Sequence, residues 1–357
     1  MVSRAREAAV PVSADAPARA TVADVARHAG VSTATVDRVL NRRSGVRAPT
    51  ARRVLDAALA LRYLPADALR DAARVRPVRV VFLLPAGTNR YIRMLGDQVD
   101  FGDEDLAPFG VTARRVYVEG FDPAALADAL LRHGRRADGV AFMALEHPRV
   151  HEAARRLAAD GVHLVTMISD LSNSPRAAYV GIDNRAAGRT AAYLLGRFAG
   201  GRGGKVALIA GSRAYRGHEE REAGFLHLME EAFPSLQVVG LREGLDDVEN
   251  NRRQARALLA QYRDLVGIYN IGGASEGVGR ALEETGRASD VVFIGHGLTS
   301  ETRAMLIDGT MDVVITQSPG GVVTSCARIL ANLCAHRPAL AGVEPVRMSV
   351  YFRENLP

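Results

Sequence analysis

Hydrogen-bonding side chains fall on one side of residues 33–41, which read TATVDRVLN. At about 3.6 residues per turn, a helix over this stretch collects its apolar side chains on one face, namely Val36, Val39 and Leu40. The opposite face carries Thr33, Ala34, Asp37, Arg38 and Asn41. Arginine can donate two hydrogen bonds to a guanine edge, and aspartate can accept one from cytosine. The pattern indicates a helix that could read bases in a major groove, and a helical hairpin with a solvated charged face is the alternative.

Basic residues surround this face. The arginines that could contact phosphates, and so position the helix without reading sequence, are Arg42, Arg43, Arg47, Arg52 and Arg53. Residues 1–79 contain 15 Arg and 7 Asp or Glu, a net charge of +8, whereas the whole chain of 357 residues carries +6. A basic segment attached to a near-neutral body indicates a polyanion partner for that segment alone.

Local signals predict three short helices around the face. Thr21 and Asp24 form a capping box that starts a helix over 22–28, and Gly30 supplies the left-handed residue that ends it. Ser32 can cap a second helix over 33–41. A third helix is predicted to begin at residue 49 or 50 and to run to about residue 63. Residues 1–20 show no periodicity and are expected to be a disordered arm.

The segment TVADVARHAGVSTATVDRVLN, followed by a helix that ends RYLP, is similar to the DNA-binding headpiece of the lactose-repressor (LacI/GalR) family. The resemblance implies a transcriptional regulator, usually a repressor, that binds a near-palindromic operator in double-stranded DNA as a homodimer. It also implies that Thr33, Ala34 and Arg38 read bases. The residues that would brace the backbone are Ser32, Asn41 and Tyr63.

The sequence departs from the family pattern at two places. Asp37 stands where the family usually has serine, which predicts an altered operator. The hinge segment 65–72 reads PADALRDA, so Arg70 is kept while Ala72 replaces the leucine that wedges between base pairs in the minor groove. Alanine has little bulk with which to unstack a base step, so the hinge is expected to bend DNA less.

From residue 78 onward, short apolar runs alternate with amphipathic helical segments, which is typical of β-α units around a parallel sheet. The predicted strands span 78–84, 111–118, 138–145, 162–168, 205–211, 265–271, 291–295 and 312–316. So many strands favour two lobes. The stretch resembles the family's periplasmic-binding-protein-like sensor, in which a small molecule binds between the lobes. The expected organisation is an arm at 1–20, an all-α helix-turn-helix headpiece at 21–64, a hinge at 65–77 and a two-lobed α/β sensor at 78–357.

Polar residues at the predicted strand ends are candidates for holding the effector, which the resemblance implies is a sugar or polyol. The candidates are Asn89, Tyr91, Glu146, Ser169, Asp170, Arg213, Tyr215, Glu219, Asn270, His296 and Gln317. Each is, alternatively, a helix cap, a turn residue or a solvated side chain. If Glu146, Asp170 and Glu219 converge, the effector could carry a positive group.

Other function classes have weaker signals. Gly273-Ala274-Ser275-Glu276-Gly277 matches the G-x-S-x-G of a hydrolase, but Asp290 and His296 lie too close along the chain to complete the usual fold. The glycines of 200–205 precede a strand and match no nucleotide-binding motif. Two cysteines, Cys326 and Cys334, fit no zinc site, so no metal or cofactor is expected. Without an apolar leader or membrane segment, the chain is expected in the cytoplasm and not as a secreted solute-binding protein.

Overall fold

The structure, a computed structural model, describes residues 20–40, 46, 48–61, 63 and 77–357. The chain divides into two compact units, Met1–Arg76 and Pro77–Pro357. No helix within the described ranges combines the length and the apolar character needed to cross a membrane.

The described part of the N-terminal unit contains three helices, α1 (Val22–Ala29), α2 (Thr33–Leu40) and α3 (Ala48–Ala60). The predicted capping box is confirmed, since Thr21 accepts from the Asp24 amide at 3.4 Å while the Asp24 carboxylate accepts from the Thr21 amide at 2.9 Å. Gly30 ends α1 with φ of 64°. Helix α3 ends earlier than predicted, at Ala60, and the Tyr63 amide donates back to the Ala58 carbonyl at 2.9 Å.

A small apolar core joins these helices. Val25 of α1, Val36 of α2 and Val54 of α3 are each fully buried, and Ala58 closes the core from α3. Because the buried residues of α2 recur at three-residue spacing, the opposite face of this helix is left in solvent.

The first lobe of the second unit is built on a parallel sheet in the order β2-β1-β3-β4-β5. Its strands are β1 (Val78–Pro85), β2 (Val111–Val118), β3 (Gly139–Phe142), β4 (His163–Met167) and β5 (Ala178–Val180). Its helices are α4 (Arg90–Phe101), the short α5 (Asp103–Leu106), α6 (Pro123–Gly134), α7 (Pro148–Ala159) and α13 (Pro319–Cys334). Residues 80–84 of β1 are buried on both faces, so the strand has the continuous apolar run expected at the centre of a parallel sheet.

The second lobe is built on a sheet in the order β11-β10-β9-β8-β6-β7, in which only β11 runs antiparallel to its neighbour. Its strands are β6 (Gly204–Ala210), β7 (Leu236–Glu243), β8 (Leu265–Asn270), β9 (Val292–His296), β10 (Val313–Thr316) and β11 (Ser349–Tyr351). Its helices are α8 (Asn184–Phe198), α9 (Arg216–Ala232), α10 (Val248–Gln261), α11 (Ser275–Glu284) and α12 (Ser300–Asp308). Two 3₁₀ turns, Ala107–Phe109 and Arg353–Asn355, complete the unit.

The chain passes between the two lobes three times, at 181–183, at 317–318 and between α13 and β11. The lobes also touch directly. The Glu146 amide of the first lobe donates to the Ala214 carbonyl of the second at 2.9 Å, and the Tyr215 ring packs edge-on against Phe121 with centroids 5.3 Å apart. The two lobes therefore face one another in a closed arrangement.

All eight predicted strands are present, but the sequence did not identify three others. Strand β7 lies at a sheet edge and alternates poorly between buried and exposed residues, while β5 and β11 are only three residues long. Such strands lack the continuous apolar run that marks a buried strand in a sequence. The predicted strand 138–145 pairs with its neighbours only over Gly139–Phe142.

Candidate functional site

The candidate DNA-binding face is the exposed side of α2. Thr33, Ala34, Asp37 and Arg38 are all exposed there, whereas Val36 and Val39 are buried in the core of the helical unit. Ser32 stands just before the helix, where its hydroxyl accepts from the Thr35 amide at 3.2 Å. The structure therefore keeps the helical periodicity that the sequence predicted for this face.

Helix α3 and the segment after it contribute further predicted DNA-contacting residues. Arg52 and Arg53 are exposed on α3, and Tyr63 packs against the small apolar core. Six other predicted DNA-contacting residues lie outside the described part of the chain, namely Asn41, Arg42, Arg43, Arg47, Arg70 and Ala72.

The candidate effector site is a pocket between the lobes, with a volume of about 50 Å³, which we call the cleft pocket. Its polar lining consists of Asn89, Tyr91, His218, Arg221, Asp246, His296, Thr316 and Gln317. Its apolar lining consists of Ile92, Met143, Ile168, Ile182 and Ile315, and backbone at Gly272, Gly273 and Gly297 completes the wall. Polar groups from both lobes thus converge on a small, largely apolar space, which is the usual character of a small-molecule site.

Arg221 places a buried positive charge at this pocket. It lies on α9 and is 6% exposed. Its Nε donates to the Asn184 carbonyl oxygen at 2.8 Å, and its Nη1 donates to the backbone carbonyl of Ile271 at the same distance. Both acceptors are neutral, and the guanidinium has more donors than these two bonds use. The group is therefore held rigidly with hydrogen-bonding capacity to spare.

Asn184 is the first residue of α8, and the cap of this helix fixes its position. Asp183 caps this helix by accepting from the Ala186 amide at 2.9 Å. The Asn184 amide nitrogen donates to the Tyr179 hydroxyl at 3.0 Å, which leaves its oxygen facing Arg221. Asn184 thus orients the arginine, while Ile182 of the same segment belongs to the apolar lining of the pocket.

Asp246 places a buried negative charge in the same pocket. It is 8% exposed and follows β7, in a loop where Leu245 and Asp246 have φ of 55° and 50°. One carboxylate oxygen accepts from the Gly273 amide at 2.7 Å, and the other accepts from the Asn89 side-chain amide of the first lobe at 2.9 Å. Backbone in the left-handed region costs free energy at residues other than glycine, so the loop conformation is held by these contacts.

Two histidines line the pocket as neutral groups. Burial lowers the pKa of His218 to about 4, with Arg221 adding to the shift and Asp246 opposing it. Burial also holds the pKa of His296 well below its usual value. The His296 Nε2 lies 2.7 Å from the Tyr269 hydroxyl, which fixes the ring. Near neutral pH both rings therefore act as hydrogen-bonding groups without charge.

Four of the predicted effector residues line the cleft pocket. They are Asn89, Tyr91, His296 and Gln317. Asn89 also caps α4, since its oxygen accepts from the Tyr91 amide at 3.1 Å. Gln317 joins both lobes at a chain crossing, because its side chain accepts from the Ile182 amide at 3.0 Å and its backbone carbonyl accepts from the Tyr91 hydroxyl at 3.2 Å.

Glu146 and Glu219 lie elsewhere, in a separate and more open cavity of about 320 Å³ that Arg185 and Arg216 also line. There the Glu146 carboxylate accepts from the Ser172 amide at 3.0 Å and from its hydroxyl at 2.8 Å. Asp170 forms an ion pair with Arg176. The three carboxylates therefore do not converge on the cleft pocket, and the structure offers no acidic cluster there for a cationic effector.

The remaining candidates have structural partners outside the pocket lining. The Ser169 hydroxyl accepts from the Gly217 amide at 3.3 Å, and the exposed Arg213 pairs with the half-buried Glu222 at 3.1 Å. Tyr215 packs between Phe121 and His218, where it joins the lobes. The Asn270 amide nitrogen donates to the Gly273 carbonyl at 2.9 Å and supports the turn behind the pocket.

Sequence reasoning missed His218, Arg221 and Asp246. Arg221 lies only two residues after Glu219, which the sequence did indicate as a candidate. The available signal was the pair of glycines around this arginine, Gly217 and Gly224, since small residues allow close approach of helices. Asp246 gave no signal, because it follows β7, a strand that the sequence did not predict.

The serine of the G-x-S-x-G motif is not arranged as a nucleophile. Ser275 is 2% exposed, and its hydroxyl accepts from the Asn270 amide at 2.9 Å. The left-handed residue of the turn is Ala274, with φ of 54°, and not the serine. Among the described residues, no group of three or more His, Cys, Asp or Glu side chains is arranged to hold a metal ion.

Comparison with protein families matches both units. Residues 21–66 match the model of bacterial regulatory proteins of the lacI family, and residues 124–338, more than half of the chain, match the periplasmic binding protein domain. The HTH-type transcriptional repressor PurR of Erwinia tasmaniensis is 27% identical over 284 residues, which cover 78% of this chain and 80% of the relative.

Solved structures share the fold of the second unit. GanP, a glucose-galactose binding protein from Geobacillus stearothermophilus, superposes with a TM-score of 0.70 at 21% identity and covers 78% of this chain and 99% of its own. A solute binding protein from Burkholderia graminis in complex with D-arabinose has the same TM-score and identity and covers 78% and 96%. The chain belongs to the periplasmic-binding-protein domain family and carries an N-terminal domain of the lacI family of bacterial regulatory proteins, so it is a DNA-binding transcriptional regulator controlled by a small-molecule effector.

Proposed function

We propose that this regulator is a repressor that binds a near-palindromic operator as a homodimer and changes its operator affinity when a sugar or polyol enters the cleft pocket. The observation that carries the proposal is the convergence of Asn89 from one lobe with Arg221 and Asp246 from the other on one pocket. A ligand bonded to both lobes stabilises one lobe arrangement over another, and that difference in affinity is the coupling between effector and DNA.

The chemistry of the pocket favours a polyhydroxy ligand. The Asp246 carboxylate accepts hydrogen bonds, the Arg221 guanidinium donates them, and the neutral histidines and Gln317 offer further polar atoms. Isoleucine and methionine side chains provide apolar contact for the C–H groups of a carbon skeleton. The relatives that bind glucose, galactose or D-arabinose support the same class of ligand for this fold. The pocket is small, so the lobes must separate to admit such a ligand.

The exposed face of α2 is proposed as the base-reading surface, with Thr33, Ala34, Asp37 and Arg38 in the groove and Arg52 on a phosphate. Residues 65–77 would serve as the hinge between headpiece and sensor. A homodimer supplies two such faces for two half-sites. We further propose that the chain acts in the cytoplasm, where its DNA partner lies, and that it carries no catalytic activity of its own.

The test is to select operator sequences from random duplex DNA with the purified full-length protein, and then to titrate the selected operator complex with sugars and polyols. We expect one near-palindromic sequence, whose affinity one class of ligand shifts by about 5- to 150-fold. Arg221→Met should abolish the shift while DNA binding persists. Arg213→Met removes an arginine from the same region outside the pocket, and it should retain both properties. A protein that selects DNA but responds to no polyhydroxy ligand would contradict the proposed effector class.

A further inference from the structure

We infer that Asp246 makes the cleft pocket selective for an uncharged polyol over the phosphate ester or the carboxylate form of the same molecule. The inference rests on the proposed function, because it specifies the effector of that same pocket. If so, the regulator responds to the uncharged polyol. It does not respond to the products that phosphoryl transfer or oxidation to an acid would make from that polyol, because those products carry negative charge.

The charges that line the pocket balance. Arg221 and Asp246 are the two charged side chains of its wall, since His218 and His296 are neutral there. Within residues 77–357, no carboxylate lies within ion-pair distance of the Arg221 guanidinium and no cation lies within ion-pair distance of the Asp246 carboxylate. Both groups make their hydrogen bonds to neutral partners, namely Asn184, Ile271, Gly273 and Asn89.

Two buried charges without ion-pair partners act directly on whatever enters the pocket. An uncharged polyol suits both of them, because each hydroxyl can donate to the carboxylate and accept from the guanidinium. A phosphate or a carboxylate also suits Arg221, but its added negative charge is repelled by Asp246, whose side chain is buried, so water screens the repulsion little. An ionised carboxylate has no proton to donate, so Asp246 can offer the oxygens of such a ligand no hydrogen bond.

The structure also prevents Asp246 from turning away. A Cβ at Gly272 or Gly211 would overlap the Asp246 carboxylate, so backbone packs against it from two sides. Gly273 and Asn89 hold the two oxygens from different lobes. Once the lobes have closed, a ligand that carries negative charge therefore cannot displace the Asp246 carboxylate without breaking its bond to Asn89 of the other lobe.

The experiment measures binding to the full-length protein by calorimetry with three matched pairs of probes. The pairs are D-arabinose with D-arabinose 5-phosphate, D-glucose with D-glucose 6-phosphate and ribitol with D-ribitol 5-phosphate, and D-arabinonate adds a carboxylate form. For the pair whose uncharged member binds, we expect the charged forms to bind roughly 100-fold more weakly or not at all. Asp246→Asn should reduce the ratio of the two dissociation constants, charged form over uncharged form, by about 10-fold or more. Asp246→Ser provides a second neutral side chain if the asparagine amide disturbs Asn89.

Asp247→Asn is the matched control. This variant removes the same charge one residue away. The Asp247 side chain caps α10 by accepting from the Asn250 amide at 2.9 Å, and it does not line the pocket. The ratio of dissociation constants for the charged and uncharged forms should therefore not change. Equal or tighter binding of the charged form by the unmodified protein overturns the inference while leaving a ligand-controlled regulator intact. So does an equal change of the ratio in the Asp246 and Asp247 variants. If none of the probes binds, the proposed sugar effector fails, and the inference fails with it.

Discussion

The side-chain amide of Asn89 donates a hydrogen bond to the Asp246 carboxylate across the cleft, with 2.9 Å between Nδ2 and Oδ2. The oxygen of the same amide caps α4 by accepting from the amides of Tyr91 and Ile92. One side chain thus links the start of a helix in the first lobe to a loop in the second. Because Asp246 also bonds the Gly273 amide, closure of the lobes and the shape of the pocket are set by the same contacts.

A neighbouring contact allows lobe closure to be tested without altering the pocket wall. The Thr88 hydroxyl donates to the Asp246 backbone carbonyl at 2.8 Å, and Thr88 does not line the pocket. Thr88→Val keeps the shape of the side chain but removes the donor. Since such a bond contributes about 1 kcal/mol, we expect effector affinity to fall roughly 5-fold by calorimetry. Thr88→Ser retains the hydroxyl and should bind nearly as well as the unmodified protein, and equal losses in both variants would argue against a role for the bond.

Operator recognition should separate into base-reading and phosphate contributions. Arg38 is exposed on the outer face of α2, so Arg38→Ala should cost about 1 to 3 kcal/mol of operator binding and relax the preference at one base pair. Arg52 is exposed on α3, so Arg52→Ala should weaken all sequences similarly and lower the salt dependence of binding by about one unit of slope. Both variants are to be compared by selection from random duplexes, and an unchanged preference in the Arg38 variant would refute the assignment of α2.

The buried histidines predict that the sensor loses stability in mild acid. The pKa of His218 is about 4 in the folded protein and near 6.5 when unfolded, so below about pH 6.5 the unfolded chain binds the extra proton. The free energy of unfolding should therefore fall as the pH drops from about 6.5 to 4, by roughly 3 kcal/mol from this group alone. His296 acts in the same direction.

Urea unfolding of the full-length protein, followed by circular dichroism, measures this dependence. His218→Gln carries no titratable group, so its stability should change less over the same pH range than that of the unmodified protein. His227 is an exposed histidine on the same helix, and His227→Gln should leave the slope unchanged. Identical slopes in all three proteins would show that His218 does not titrate as its burial requires.

Close packing of α8 against α9 holds Arg221 in place. A Cβ at Gly188 would overlap the backbone carbonyl of Arg221, which cannot move without shifting α9. Gly188→Ala should therefore destabilise the protein by about 1 to 3 kcal/mol and weaken effector binding. Gly321→Ala is the control, because a Cβ there meets only the Ser318 side chain at 3.3 Å. That variant should be as stable as the unmodified protein, or slightly more so, in thermal unfolding with effector affinity unchanged.

A variant at Ser275 distinguishes the proposed regulator from a serine hydrolase. Ser275→Ala removes a buried acceptor, but the Asn270 amide nitrogen keeps its bond to the Gly273 carbonyl at 2.9 Å. We expect a loss of about 1 kcal/mol in stability, with operator selection and effector response retained. An ester-hydrolysis assay on the unmodified protein completes the test, since turnover that disappears in the variant would restore the serine as a nucleophile.

The sequence by itself determined the elements whose signals are local. The capping box of Thr21 and Asp24, the left-handed Gly30 and the two faces of α2 each depend on residues within a few positions of one another, and the structure confirms them. The sequence also predicted the buried strands such as β1, because a continuous apolar run is typical of a strand at the centre of a parallel sheet. The match to the lacI family confirms the regulator that the headpiece motif indicated.

Only the tertiary structure decided which polar residues meet in the cleft. Asn89 and Asp246 are 157 positions apart, and no local pattern distinguishes them from Glu146 or Arg213, which lie elsewhere. Whether a polar side chain caps a helix, pairs on the surface or faces a ligand depends on how the two lobes close and on which charges burial leaves without a partner. Those are properties of packing between distant segments, and they are not encoded at any one position of the chain.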